Sequence, residues 1–250
     1  MQTTKSNDGT TIGYETNGDG EPLVLLHGST AARDHWRPFL PHLGDAGQFV
    51  AVDRRGRASS GNAKAYDLEC EVDDVQCVLE DVGASRLFGH SFGGLCALNA
   101  AERGAVDLEK LILYEPAVLV GDHREYDVGA RMADLITGGD REGALRLAFE
   151  RVGIEDVEAL PHWPEVLELA EVTQREFAAV DAYELPESLD VAAETLVLTG
   201  ERSPTFLQDG AREVYRRLPN AELVEIEGAG HAGVENPPAV AAPVAEFLQG

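Results

Sequence analysis

Lysine is scarce in this 250-residue chain, where Lys5, Lys64 and Lys110 are the only three. Lysine and arginine together number 20 against 45 aspartates and glutamates, which leaves a formal charge of −25. A surface of that sign repels polyanions, so nucleic acid is excluded as a partner and an anionic membrane is disfavoured. Cysteine is nearly as sparse. Cys70, Cys77 and Cys96 are odd in number and form no C-x-x-C pair, so neither a disulfide framework nor a zinc site is expected. No H-E-x-x-H or Cys/His cluster occurs, and the expectation is that no metal or cofactor takes part. No apolar run is long enough to span a bilayer. The opening MQTTKSNDGTT lacks the apolar stretch of a signal peptide, which points to the cytoplasm. The partner left is a small molecule; oligomeric state is not legible here.

What is present is ordinary globular composition: 44% hydrophobic residues, 26 Gly and 12 Pro. The length allows one large α/β domain or two small ones. Short apolar runs at Pro22–His27, Gln48–Val52, Ser85–Phe88, Lys110–Tyr114, Glu194–Thr199 and Ala221–Ile226 read as buried strands. Thr10–Glu15 reads as an antiparallel edge. Helical patterns such as Glu71–Asp81 and Leu95–Arg103 lie between them. Strands alternating with helices predict a mostly parallel sheet flanked by helices on both faces.

The alternation stops between Leu119 and Leu189. Tyr126–Thr137, Arg141–Val152 and Pro164–Val180 are amphipathic at helical spacing. A helical insertion there reads as a lid, so the chain divides into a core of residues 1–118 and 190–250 and a helical cap of residues 119–189.

One segment carries chemistry. Gly89-His90-Ser91-Phe92-Gly93 follows a predicted strand and opens a predicted helix, the setting that G-x-S-x-G requires. The turn demands glycines where backbones cross, lifts the Ser91 hydroxyl clear of the sheet, and aims the N–H groups of the following helix at a developing oxyanion. His27-Gly28-Ser29 follows the first buried strand and can lie beside Ser91, with the backbone N–H groups of Phe92 and Ser29 as oxyanion donors. His27 reads as a loop brace. Gly228-Ala229-Gly230-His231 follows the last strand, and small neighbours let His231 reach over the sheet as a base.

These motifs, in this order, resemble the α/β-hydrolase fold family. The resemblance runs over nearly the whole chain: the His27-Gly28 loop, the Asp53–Arg57 turn, the elbow, the helical cap and the GAGH loop. It implies Ser91 as nucleophile, His231 as base, and Phe92 and Ser29 at the oxyanion hole. The Asp53–Arg57 turn looks structural in such relatives. Ala58 stands where they often carry glycine, which implies a slightly different turn.

The third member departs from the pattern. The family usually places an aspartate shortly after its seventh strand, but this segment reads Thr199-Gly200-Glu201-Arg202-Ser203-Pro204. Haloalkane dehalogenases and some other branches take the acid from the end of strand six, where this chain has Tyr114-Glu115-Pro116. Glu115 is therefore the leading candidate, with Glu201, Asp209 or no acid at all as the alternatives.

A serine nucleophile implies acyl transfer to water, most commonly hydrolysis of a carboxylic ester. Lactones, thioesters and carbon–carbon bonds next to ketones stay open, and relatives of this type also show cofactor-free haloperoxidase-like side activity. Trp36, Phe39, Phe92, Phe149, Trp163 and Phe206 either line a pocket under the cap or belong to the core. The rival reading is a slow or inactive ligand-binding receptor on the same scaffold. Finally, the acid-rich, lysine-poor composition resembles that of proteins from salt-loving microbes, whose surface repulsion is screened by salt.

Overall fold

The computed structural model describes residues 1–44, 46–154, 156–160, 163–232 and 237–250. Eight strands form a single sheet: β1 (Gln2–Lys5), β2 (Thr11–Asn17), β3 (Pro22–Leu26), β4 (Gln48–Asp53), β5 (Arg86–His90), β6 (Lys110–Tyr114), β7 (Glu194–Gly200) and β8 (Ala221–Ile226). Their order is β1-β2-β4-β3-β5-β6-β7-β8. β1 and β2 run antiparallel, and the six strands from β3 onward are mutually parallel. The apolar runs thus mark the buried parallel strands, whose two faces are both covered.

Thr11–Asn17 is not the edge. Gln2–Lys5 pairs outside it, with Gln2 opposite Tyr14. This outer strand is polar and mostly exposed, so no alternation of apolar residues marked it.

The flanking helices are α1 (Leu68–Val82), α2 (Phe92–Arg103), α7 (Thr205–Arg217) and α8 (Pro237–Gln249). Asp67 starts α1 by accepting the Cys70 N–H at 2.9 Å, and Gly83 ends it at a φ of 64°. One core cluster joins Val24, Leu26 and Leu111 to Leu79, Leu95 and Leu98 on one face of the sheet. The other joins Leu25, Phe88 and Ile112 to Trp36, Phe39 and the α8 residues Val244 and Phe247. Complete burial of Leu95 and Leu98 contributes on the order of 2 kcal/mol each, which ties α2 firmly to the strands beneath it.

Between β6 and β7 lie α3 (Val128–Thr137), α4 (Arg141–Arg151), α5 (Trp163–Leu167) and α6 (Ala170–Ala182). The pattern over Pro164–Val180 is two helices rather than one. The Glu168 and Leu169 N–H groups bond back only three residues, to Glu165 and Val166, and close α5 as a tight turn before α6 begins. Val128 and Met132 pack on Ala144 and Ala148, and Trp163 on Phe149, so the insertion has small apolar clusters of its own.

Parallel strands end on one side of the sheet. The loops after β3, β5, β6, β7 and β8 therefore meet at one rim, with His90 level with Tyr114 across β5 and β6. No helix among the described residues is long and apolar enough to cross a membrane.

Candidate active site

Ser91 sits between β5 and α2 with φ 56° and ψ −121°, a conformation that side chains rarely adopt. Strain of this kind costs about 1–3 kcal/mol and persists only where neighbours enforce it. Here they do. The Ser91 N–H donates to the Tyr114 carbonyl at 3.0 Å, while the Ser91 carbonyl accepts from Leu95 at 3.1 Å and Ala117 at 2.9 Å. A Cβ on Gly93 would lie 2.4 Å from the Leu26 carbonyl oxygen, and one on Gly89 would lie 2.4 Å from that of Gly93. Only glycine lets these backbones pass, and that closeness is what raises Ser91 above the rim.

His231 comes from the loop after β8. Its Nε2 is 3.0 Å from Ser91 Oγ and its Nδ1 is 2.6 Å from Glu115 Oε2. Glu115 is fully buried at the end of β6, itself at φ 44°. Its other oxygen, Oε1, accepts from Thr199 Oγ1 at 2.9 Å and from the Gly200 N–H at 2.8 Å. Burial alone would push the Glu115 carboxyl up. Hydrogen bonding to His231 and the Gly200 N–H outweighs it and holds the group below the usual carboxylate range. An ionised carboxylate only accepts, so His231 Nδ1–H donates the hydrogen bond to Glu115.

The alternative acids are engaged elsewhere. Glu201 is exposed and its Oε2 accepts the Gly228 N–H at 2.9 Å. Asp209 lies on α7 and meets His123 at 3.1 Å.

The remaining candidates gather around Ser91. A Cβ on Gly28 would be 3.0 Å from Ser91 Cβ, so the loop after β3 abuts the elbow. Ser29, Phe92 and Ser91 line one cavity together with His231. Phe92 opens α2, where backbone N–H groups lack helical acceptors. His27 braces this loop: its Nδ1–H donates to the Gly28 carbonyl at 2.8 Å and its Nε2 accepts the Arg54 N–H at 3.2 Å. Burial holds His27 well below the usual histidine pKa, in keeping with one donor and one acceptor on its ring.

The cavity measures about 780 Å³. Its walls are mainly apolar, with Val128, Phe149, Val152 and Leu169 from the insertion facing Phe206 and Leu207 of α7. Of the six aromatics read from the sequence, Phe92, Phe149 and Phe206 line it. Trp36 and Phe39 belong to the core around Phe88, and Trp163 packs edge-on against Phe149.

Several contributors carried no motif. His90, buried between the rings of His35 and Tyr114, donates from Nε2 to the His231 carbonyl at 2.8 Å. Burial holds His90 well below its ordinary pKa. The Tyr114 hydroxyl donates to the Gly230 carbonyl, and the Arg202 N–H to the Ala229 carbonyl at 2.8 Å. The histidine loop is thus tied at three successive residues. A histidine and a tyrosine closing apolar strands were the available signal.

The Asp53–Arg57 turn is structural and also joins the core to the insertion. Asp53 pairs with Arg33, while Arg55 takes Asp74 at 2.7 Å. The fully buried Glu176 of α6 binds Arg57 at 2.8 and 2.9 Å and also Arg54. Arg54 in turn lies 4.7 Å over the Phe92 ring. Ala58 keeps φ at 40°, so the turn retains a left-handed residue even without glycine.

Residues 23–242 match the alpha/beta hydrolase family, and the chain belongs to it. A crystal structure of an alpha/beta hydrolase from Sphaerobacter thermophilus superposes with a TM-score of 0.87 at 29% identity, covering 98% of this chain and 99% of that one. An esterase from Exiguobacterium antarcticum shares the fold, with a TM-score of 0.85 at 23% identity over 100% and 99% of the two chains. The non-heme chloroperoxidase CPO-A1 of Kitasatospora aureofaciens is 27% identical over 90% of both chains. Proteins similar to this chain thus include an alpha/beta hydrolase and a non-heme chloroperoxidase.

Proposed function

We propose that the protein is a serine hydrolase of small carboxylic esters or related acyl compounds. The observation that carries the reading is the continuous chain Ser91–His231–Glu115, at 3.0 and 2.6 Å, opening into a largely apolar cavity. His231 Nε2 takes the Ser91 proton as Oγ attacks the acyl carbon. Glu115 holds the imidazole in register and stabilises its cationic form. The N–H groups of Phe92 and Ser29 receive the charge that develops on the carbonyl oxygen, each worth on the order of 3 kcal/mol in the barrier. His231 then protonates the leaving group. A water deprotonated by the same nitrogen releases the acid and restores Ser91.

On this reading residues 119–189 form a lid over a core of residues 1–118 and 190–250. The apolar walls that the insertion contributes support it, since they shield the acyl group from water.

The test is intact mass after exposure to a fluorophosphonate. One adduct on the wild type, none on Ser91→Ala and slower labelling of Glu115→Gln are expected. A folded wild type that takes no adduct would overturn the reading.

A further inference from the structure

The cavity is lined by two arginines, and they differ in their engagements. Arg57 is bound to Glu176 through both of its terminal nitrogens. Arg151, the last residue of α4, makes no ion pair or hydrogen bond with any of the described residues. Its guanidinium lies instead over two aromatic rings, 3.8 Å from the centroid of Phe206 and 5.4 Å from that of Tyr126. Contact with a ring face leaves the N–H donors unused, and a guanidinium has five of them in one planar fork.

Among the described residues three carboxylates also line this space: Asp34, Glu165 and Asp181. Asp34 and Glu165 are exposed. Asp181 accepts the Gly129 N–H at 2.7 Å, and burial pushes its pKa up to about 6. It acts on Arg151 through space without reaching ion-pair distance. Burial lowers the pKa of Arg151, and the charges of Tyr126 and Asp181 compensate only in part. A cation held this way in a mainly apolar chamber, with its donors unfilled by any of the described residues, is a recognition group for an anion. Planar bidentate geometry favours a carboxylate.

We infer that the substrate is an acyl compound bearing a second carboxylate, separated by an apolar spacer from the carbonyl that Ser91 attacks, and that Arg151 binds that carboxylate. The inference rests on the serine-hydrolase reading of the same cavity. It runs against the field of the whole protein, whose negative charge disfavours anions; a cation in direct contact with the bound group outweighs a distributed, screened charge.

The test compares mono-p-nitrophenyl esters of adipic and suberic acid with p-nitrophenyl hexanoate and octanoate, on wild type, Arg151→Met and Arg151→Lys. The wild type is expected to prefer the acid-tailed ester in kcat/KM. Arg151→Met should cut that preference about 30-fold, through KM rather than kcat, as loss of a charge partner for the bound carboxylate does. Arg151→Lys, which keeps the charge but loses the planar fork, should keep only part of it. A preference ratio equal in wild type and Arg151→Met would overturn the inference, because a residue that merely packs on Phe206 would change both esters alike. Calorimetric titration with suberate gives a readout free of turnover: binding to wild type and not to Arg151→Met is expected. If no ester is turned over, the hydrolase reading fails by itself. Absent or equal suberate binding would then overturn the role of Arg151 separately.

Discussion

Glu115 and His231 are 116 residues apart in sequence and 2.6 Å apart in space, joined by a buried hydrogen bond. The carboxylate comes from the end of β6, and Glu201 in the loop after β7 is turned to the Gly228 N–H instead. The end of β7 supplies donors to that carboxylate. The Gly200 N–H and the Thr199 hydroxyl converge on the Glu115 oxygen that His231 leaves free.

Glu115→Gln keeps the shape and removes the charge. The amide no longer selects the Nδ1–H tautomer, and kcat on an activated ester is expected to fall about 10³- to 10⁴-fold. Circular dichroism should confirm an intact fold. A loss under tenfold would mean that another acid orients His231.

His90 acts on His231 through the backbone. His90→Phe preserves the stacking between His35 and Tyr114 but removes the donor to the His231 carbonyl. We expect kcat to drop roughly tenfold with little change in KM, on the order of one lost hydrogen bond.

The same residue predicts a pH dependence. A histidine with a depressed pKa in the folded state favours the neutral form there. Unfolding therefore takes up protons at acid pH, and stability falls as pH drops below the unfolded value of about 6.5. His90→Phe should show a shallower decline than wild type between pH 6.5 and 4 in urea melts. Parallel curves would show that His90 takes no part.

Glu176→Gln leaves Arg54 and Arg57 buried without their shared carboxylate. Loss of one partner in such a cluster costs about 3–5 kcal/mol, far more than an exposed pair. Chemical denaturation should register a lower midpoint at unchanged slope. A shift below 1 kcal/mol would mean that water reaches the arginines.

Arg141, Arg146, Arg212 and Arg216 each already hold a carboxylate, and 45 acidic side chains against 20 lysines and arginines leave a large excess of negative charge. Screening should relieve the remaining repulsion. The thermal midpoint is expected to rise from dilute buffer to molar KCl. A flat or falling response would remove the salt-adapted reading.

The parallel strands, the elbow and the residues now grouped around Ser91 were legible because each imposes a local demand: continuous apolar runs, glycines at a backbone crossing, small residues before a histidine. Glu115 was legible as a carboxylate closing an apolar run. Gln2–Lys5 was hidden, since a polar edge strand owes its existence to the hydrogen bonds of its neighbour. The break at Glu168-Leu169 was hidden as well, because amphipathic spacing continues across it. The roles of His90, Tyr114 and Arg151 depend on which distant groups they meet, and no spacing encodes that.

Two members of the candidate triad belong to one mechanical unit. Ser91 and Glu115 end adjacent strands, and the serine's own backbone is hydrogen-bonded to Tyr114 and Ala117 on either side of the acid. Separating them means tearing the middle of the sheet. His231 is held differently: among the described residues its loop is fastened by hydrogen bonds to the Ala229, Gly230 and His231 carbonyls at the rim. Its opening free energy is set locally, below that of the whole molecule. Heat should therefore silence this protein by releasing one loop while the sheet still protects its amides from exchange, and cooling should restore activity faster than any refolding of the core requires.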